Sequence, residues 1–320
     1  MATGTKTNRS PAEALAAVLA RRGMVQGVEM ALAAPPVASP VHRGVAHHCY
    51  RVAAPGQAPL FCKLPAADQD GLMDAAAAAE MAALAGDTAV APPVAWFDAE
   101  SDVLATRWLE GDWRYARVED LRQPERLRVV FARLQALHRA PPPSGATRHD
   151  PRARLSRQDK ILRDLPVERP PNYDWLLDQA ASALSALEPE RAPAVPCHLG
   201  TIASNVMLGP DDALLLVDFD QAGLSEPLHD LGILLTEAFD FEDEWADALA
   251  PHYGAQTAQA VHRARLWGLV DDLSWAQWAL ICHARAQRSE IEYFKYASWR
   301  FMRATLTAAD WTFERRLRQA

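Results

Sequence analysis

Asn205 and Asp218 stand at the two ends of a patterned run. It reads Asn205-Val206-Met207-Leu208, then Gly209-Pro210-Asp211-Asp212, then Leu214-Leu215-Leu216-Val217-Asp218. Two apolar stretches around such a turn predict a β-hairpin, whose ends converge in space. An amide carbonyl and a carboxylate are hard oxygen donors suited to Mg2+. Asp220, one pleat on, would point to the same side as Asp218. The same residues also read as an ordinary acidic hairpin. Upstream, Lys63 ends the strand-like Leu60-Phe61-Cys62-Lys63-Leu64 and is the only lysine between Lys6 and Lys160. Glu80 is a lone carboxylate among Ala and Met, which suggests an ion pair, with a solvated helix face as the alternative. A lysine for phosphates and oxygen ligands for a metal are two of the three things phosphoryl transfer needs. The third is a carboxylate that orients the attacking hydroxyl.

The segment before the hairpin is His198-Leu199-Gly200-Thr201-Ile202-Ala203-Ser204-Asn205, and the segment after it is Val217-Asp218-Phe219-Asp220. Together they resemble the catalytic segment of the aminoglycoside phosphotransferase/choline kinase superfamily, whose pattern is His-x-Asp-x-x-x-x-Asn, a strand, then Asp. The resemblance implies ATP and Mg2+ as cofactors, Asn205 and Asp218 as metal ligands, and Asp220 at the acidic position that follows. It also implies His198 as a brace of the loop and a structural role for Asp230 in Glu226-Pro227-Leu228-His229-Asp230-Leu231-Gly232. By the same resemblance Lys63 would hold phosphates, with Glu80 orienting it. Arg43-Gly44-Val45-Ala46-His47-His48-Cys49-Tyr50-Arg51-Val52 resembles the family's phosphate-covering turn, with Gly44 in place and His47 where Asn is usual.

The slot of the catalytic Asp holds Gly200, which has no side chain to accept a proton. Leu199 and Thr201 are not bases. Asp150 and Asp159, in a polar stretch, are the acids with a chance of reaching in. Lacking a base costs roughly 10²–10⁴ in rate rather than all catalysis. Three readings follow: a kinase with altered base chemistry, a pseudokinase that binds without turnover, and an aminoglycoside-type phosphotransferase.

For the acceptor, Leu273-Ser274-Trp275-Ala276-Gln277-Trp278 and Tyr293-Phe294-Lys295-Tyr296-Ala297-Ser298-Trp299-Arg300-Phe301 resemble the Trp-x-x-Trp and Tyr-x-x-Tyr segments of choline/ethanolamine kinases. Glu237 falls where that family carries an acid for the ammonium. A quaternary ammonium has no N–H to donate, so aromatic faces and a nearby carboxylate hold it. Trp275, Trp278, Tyr293 and Glu237 would form that cage around choline or a related amino alcohol. Trp275 and Trp278, at i and i+3, are equally readable as plain core. The acidic run Asp240, Glu242, Asp243, Glu244 and Asp247 would suit a polycationic aminoglycoside, or simply start a helix.

The elements that must position these residues follow the order of a two-lobed protein-kinase-like α+β fold. A helix is expected over 11–22, a hairpin over 48–52 and 59–64, a helix over 72–84 stopped by Gly86, and strands over 90–97 and 103–108. This gives a disordered tail at 1–10, an N-lobe at 11–109 and a C-lobe at 110–320, hinged near 109–112. The C-lobe has helices over 127–138 and 172–187, a polar stretch at 141–171 that reads as a loop or a short inserted helical region, and three or four helices after Asp230. The chain has 320 residues and a net charge of −8, which argues against a nucleic-acid partner. No apolar run suits membrane insertion. Four scattered cysteines and an N-terminus without an apolar core of a leader predict a cytoplasmic protein.

Overall fold

The computed structural model describes residues 10–37, 43–188, 191, 194–286, 288 and 290–320, so the expected tail lies, apart from Ser10, outside the described residues. Ser10 opens helix α1 (Pro11–Arg21) with a reciprocal cap: its hydroxyl accepts from the Glu13 N–H, and the Glu13 side chain accepts from the Ser10 N–H. Strands β1 (Glu29–Ala34), β2 (His47–Ala53) and β3 (Leu60–Pro65), helix α2 (Ala75–Asp87), and strands β4 (Val94–Asp98) and β5 (Val103–Arg107) follow. The five strands make one antiparallel sheet in the order β1-β2-β3-β5-β4.

Alternation along these strands decides what faces the site. Leu60, Cys62 and Leu64 of β3, with Val103 and Ala105 of β5, pack on Leu15, Val18 and Leu19 of α1. The intervening Phe61, Lys63, Leu104 and Thr106 therefore face the other way, into a cleft. α2 runs one residue past Gly86, and the N–H groups of Val90 and Ala91 fold back onto the Ala85 carbonyl. The strand expected from residue 90 accordingly begins only at Val94, beyond Pro92 and Pro93.

Beyond the sheet come β6 (Arg114–Tyr115), α3 (Val118–Leu121), α4 (Pro124–His138), α5 (Pro151–Arg163) and α6 (Tyr173–Leu187). The polar stretch at 141–171 thus contains a helix. Its start is set by Asp150, whose carboxylate accepts from the Ala153 N–H, and by Pro151 at the first helical position. Then come β7 (Val195–Cys197), β8 (Val206–Leu208), β9 (Leu214–Leu216), β10 (Gly223–Ser225) and helices α7 (Pro227–Ala238), α8 (Glu242–Tyr253), α9 (Thr257–Arg285), α10 (Tyr293–Ala308) and α11 (Phe313–Gln319).

The hairpin forms as β8 with β9, in register from Val206–Leu216 to Leu208–Leu214. α9 is the axis of the helical part, packed by α5, α6, α7, α8, α10 and α11. Its approach to α7 is close: a Cβ on Gly232 would lie 2.5 Å from the Ala264 carbonyl. The result is a β-sheet N-lobe on a helical C-lobe, the kinase-like arrangement. Among the described residues no helix is long and apolar enough to cross a membrane. The four cysteines are free and buried.

Candidate active site

A cleft of about 370 Å³ separates the sheet from the helical part, within the ordinary size of small-molecule sites. Lys63, Gly200, Asn205, Asp218, Asp220 and Gly44 all line it. β3 delivers Lys63 by its pleat. The turn before β8 delivers Asn205, and the segment after β9 delivers Asp218 in a left-handed backbone conformation (φ 70°). Leu199 is also left-handed (φ 53°). Such conformations cost a non-glycine residue about 1 kcal/mol or more and persist where surroundings over-determine them.

The over-determining group is Asp230 of α7. Its Oδ2 accepts from the His198 N–H at 3.0 Å and its Oδ1 from the Leu199 N–H at 2.6 Å, and His138 Nε2 lies 2.8 Å from Oδ2. Burial alone would raise the Asp230 pKa. The His138 contact and the backbone donors outweigh it and hold the carboxyl below its usual range. Cys197 and His138 lie close enough to Asp230 to suggest a metal cluster, but the carboxylate is already committed to these donors. His198 is fully buried, with Nε2 3.0 Å from the Val217 carbonyl and Nδ1 3.0 Å from the Thr201 hydroxyl. A carbonyl can only accept, so Nε2 carries the proton and Nδ1 accepts from Thr201. Burial lowers the His198 pKa, which keeps the ring neutral, and its place beneath the loop is that of a brace.

Gly200 sits beside Asn205, whose Nδ2 donates to the Gly200 carbonyl at 2.8 Å. The Asn205 backbone carbonyl accepts from the Val217 N–H at 2.9 Å, while among the described residues no hydrogen bond engages the side-chain Oδ1, which leaves it available. A Cβ built on Gly200 meets nothing closer than 3.6 Å (Asn205 Nδ2 and His198 Cε1). The backbone there is thus compatible with a side chain that the sequence does not supply. Neither expected substitute reaches in. Asp150 caps α5, and Asp159 holds Arg163 at 2.9 Å and accepts from the Tyr173 hydroxyl at 3.0 Å.

Lys63 Nζ lies 3.2 Å from Asp218 and also bonds Asp220. Burial would lower the lysine's pKa, but the two carboxylates outweigh it and raise it. Enclosure in the cleft, then the charge of Asp220, pushes the Asp218 carboxyl up from its usual range, against the pull of Lys63. His47 enters β2 as a buried side chain with Nδ1 3.2 Å from Asp220, so it contributes its ring as well as its backbone. Burial, then the charge of Lys63, lowers its pKa to about 3. A neutral His47 therefore sits against Asp220 without adding a charge to it. Gly44 takes the left-handed conformation (φ 60°) in the loop before β2. The oxygens of Asn205 and Asp218, with Asp220 behind, fit a Mg2+ ion by chemistry and by their opening to the cleft.

Three expected roles fail. Glu80 is exposed on α2 with its carboxylate against Gly145, and Lys63 pairs with Asp218 and Asp220 instead. Glu237 pairs with Arg303 of α10 at 3.6 Å and does not line the cleft. Tyr293 is buried behind the cleft wall, with its hydroxyl 3.0 Å from Asp68 and 2.7 Å from Arg288. The aromatic surface that does face the cleft is Trp275, Trp278 and Tyr296. Trp278 is edge-on to both others, at 5.0 Å from Trp275 and 6.3 Å from Tyr296. Tyr296 stood in the quoted Tyr-x-x-Tyr segment, but spacing alone did not say which tyrosine faces the cleft. Nothing in the residue pattern marks Asp68 and Gln69 as part of a site. They lie in a short turn after β3 and tie that turn to α9 and α10, with Gln69 Oε1 2.8 Å from Trp278 Nε1. The acidic run at the start of α8 does not line the cleft; its Asp240 and Glu242 pair with Arg122 and Arg316.

Comparison with known proteins agrees with this geometry. Among solved structures, the chain is similar to a choline/ethanolamine kinase family protein from Mesorhizobium loti, at 23% identity and a TM-score of 0.71, covering 96% of each chain. It is similar to the choline kinase LicA from Streptococcus pneumoniae at 15% identity and a TM-score of 0.74, covering 94% of this chain and 100% of that one. An aminoglycoside phosphotransferase matches at 12% identity and a TM-score of 0.60, covering 93% and 98%. No curated protein matches the sequence. The model of the phosphotransferase enzyme family matches residues 37–267, most of the sheet and the whole of the Lys63–Asp218 site, and the chain belongs to that family.

Proposed function

We propose that this protein is an ATP-dependent phosphotransferase. It would pass the γ-phosphoryl group to the hydroxyl of a small molecule docked on Trp275, Trp278 and Tyr296, without a side-chain base at position 200. The observation that carries the reading is the convergence of Lys63 from the sheet with Asn205, Asp218 and Asp220 from the other side of one cleft, with an aromatic shelf in the same cleft. LicA, similar in fold, is known in complex with AMP, which supports a nucleotide ligand here. Asn205 and Asp218 would hold Mg2+, which supplies charge neutralisation to the phosphates. Lys63, released from Asp218, would turn to the phosphates. Asp220 would stay paired with His47, and His198 and Asp230 would keep the 198–205 loop in shape.

With glycine at 200, no protein group takes the hydroxyl proton. It would pass to an oxygen of the transferred phosphoryl group. A loose transition state demands little activation of the nucleophile, so such transfer is slow rather than forbidden. The amino-alcohol acceptor implied by the sequence finds its aromatic half in the cleft, while Glu237, its expected acid, is turned to Arg303.

Gly200 specifically favours a second reading, a nucleotide-binding protein without turnover. Phosphorus NMR of the purified chain with MgATP and candidate alcohols separates the two. Phosphorylated product from the unmodified chain supports the first. ATP binding without product, until Gly200→Asp restores a base, supports the second. Neither binding nor product from folded protein sinks both.

A further inference from the structure

The aromatic shelf already carries a cation. The Arg154 guanidinium of α5 lies over Trp275, with Cζ 5.5 Å from the ring centroid. Its Nη1 bonds the Gln221 side chain, and Gln221 lines the cleft next to Asp220. Among the described residues no carboxylate forms an ion pair with Arg154. Burial, opposed by the charge of Asp271, lowers its pKa only to about 10, so it is charged at neutral pH.

The neighbouring acids are committed elsewhere. Arg300 holds Asp271 at 3.3 Å and Asp272 at 2.7 Å, and Arg303 holds Asp272 and Glu237. An ammonium group arriving at Trp275 would meet a fixed like charge on the ring, with Asp271, Asp272 and Glu237 already held by Arg300 and Arg303. Like charges brought together in a desolvated site repel strongly, and Arg154 already covers one face of the Trp275 ring. A guanidinium beside a cleft with no carboxylate in direct contact is, conversely, a ready partner for a planar anion, which it can hold with two parallel N–H donors.

The geometry points to an acceptor that carries an anionic group, a hydroxy acid rather than an amino alcohol, with Arg154 as the residue that reads its charge. This rests on the phosphotransferase reading of the cleft, with the acceptor hydroxyl turned toward Asp218 and the anionic group toward Arg154. It reverses the charge preference that the Trp-x-x-Trp segment suggests.

The test is calorimetric binding to the full chain of three probes of similar size: glycerate (anion), glycerol (neutral) and choline (cation). The unmodified chain and Arg154→Met are compared. Binding of glycerate tighter than choline by ~tenfold or more, with the preference lost or reversed in Arg154→Met, is the expected result. Choline binding as tightly as glycerate, or no glycerate binding at all, overturns the inference, and these outcomes need only the unmodified chain. A preference that survives Arg154→Met in folded protein overturns the role of Arg154. A parallel titration with MgADP keeps the two readings apart: nucleotide binding with choline preference sinks only the anion inference, while no nucleotide binding sinks the phosphotransferase reading.

Discussion

The Lys63 ammonium lies between Asp218 and Asp220, 3.2 Å from the first and bonded to the second, where a divalent cation would be held in a phosphotransferase. The lysine thus balances two carboxylates that would otherwise repel each other inside a cleft. Lys63→Met should leave both uncompensated. Breaking a fully buried pair costs 3–5 kcal/mol, and the partial exposure of Asp218 (40%) argues for a smaller loss here, about 2 kcal/mol. Mg2+ can replace the missing charge. Thermal melts with and without Mg2+ should therefore show the metal raising the Tm of Lys63→Met by more than it raises that of the unmodified chain. Equal shifts would mean that Asp218, with Asp220 behind it, does not hold the metal.

Gly200→Asp should fold. Its Cβ has open space to 3.6 Å, its backbone is not left-handed, and the side chain adds a carboxylate near Asn205 rather than in the core. The expected stability change is within about 1 kcal/mol of zero, by denaturant titration. In the same variant the rate of phosphoryl transfer should rise ~10²-fold or more, the usual worth of a positioned base. A well-folded variant with no gain in rate would show that proton removal does not limit the reaction.

What the sequence made legible is what period and turn chemistry control. Alternation in Leu60-Phe61-Cys62-Lys63-Leu64 places Lys63 on the face opposite Cys62. The Gly-Pro-Asp-Asp turn brings Asn205 and Asp218 to one end of a hairpin. Glu80 was not legible because α2 is alanine on nearly every side, so no apolar stripe says which face meets the sheet. Glu237 and Tyr293 depended on where α7 and α10 meet, and Arg303 and Asp68 claim them through contacts distant in sequence. Arg154 lies in a polar stretch whose composition fits a loop as well as a short inserted helix, and the cap at Asp150 decides for the helix that carries it to Trp275.

Tyr293 should matter for coupling between the sheet and the helices. Asp68, in the turn after β3, accepts from the Tyr293 hydroxyl at 3.0 Å and from Arg288 at 2.6 Å. Arg288 also reaches the Val45 carbonyl at 2.8 Å, next to Gly44. Tyr293→Phe removes one donor from a buried carboxylate at a cost of about 1–2 kcal/mol. Amide exchange at residues 43–49 should speed up by ~fivefold or more in the variant while α9 stays protected. Unchanged exchange there would show that the loop does not depend on this contact.

His47 gives the acid side of the stability profile. Its pKa is about 3 in the folded chain, against 6.5 unperturbed, because burial and then Lys63 disfavour its charged form. Below pH 6.5 the unfolded chain takes up a proton that the folded chain refuses. The stability from a neutral His47 is therefore complete above pH 6.5 and lost as pH falls from 6.5 toward 3, with a slope of up to about 1.4 kcal/mol per pH unit. Asp218 works in the opposite sense: its raised pKa makes the folded chain bind a proton before the unfolded one does. A comparison by difference removes most of that effect. His47→Asn keeps a polar side chain beside Asp220 and does not titrate. Denaturant titrations from pH 7 to pH 5 should show the unmodified chain losing stability faster than the variant, by up to ~1.4 kcal/mol per unit. The other buried histidines contribute equally to both. Parallel profiles would mean that the His47 ring charges without penalty at the cleft and forms an ion pair with Asp220, 3.2 Å away.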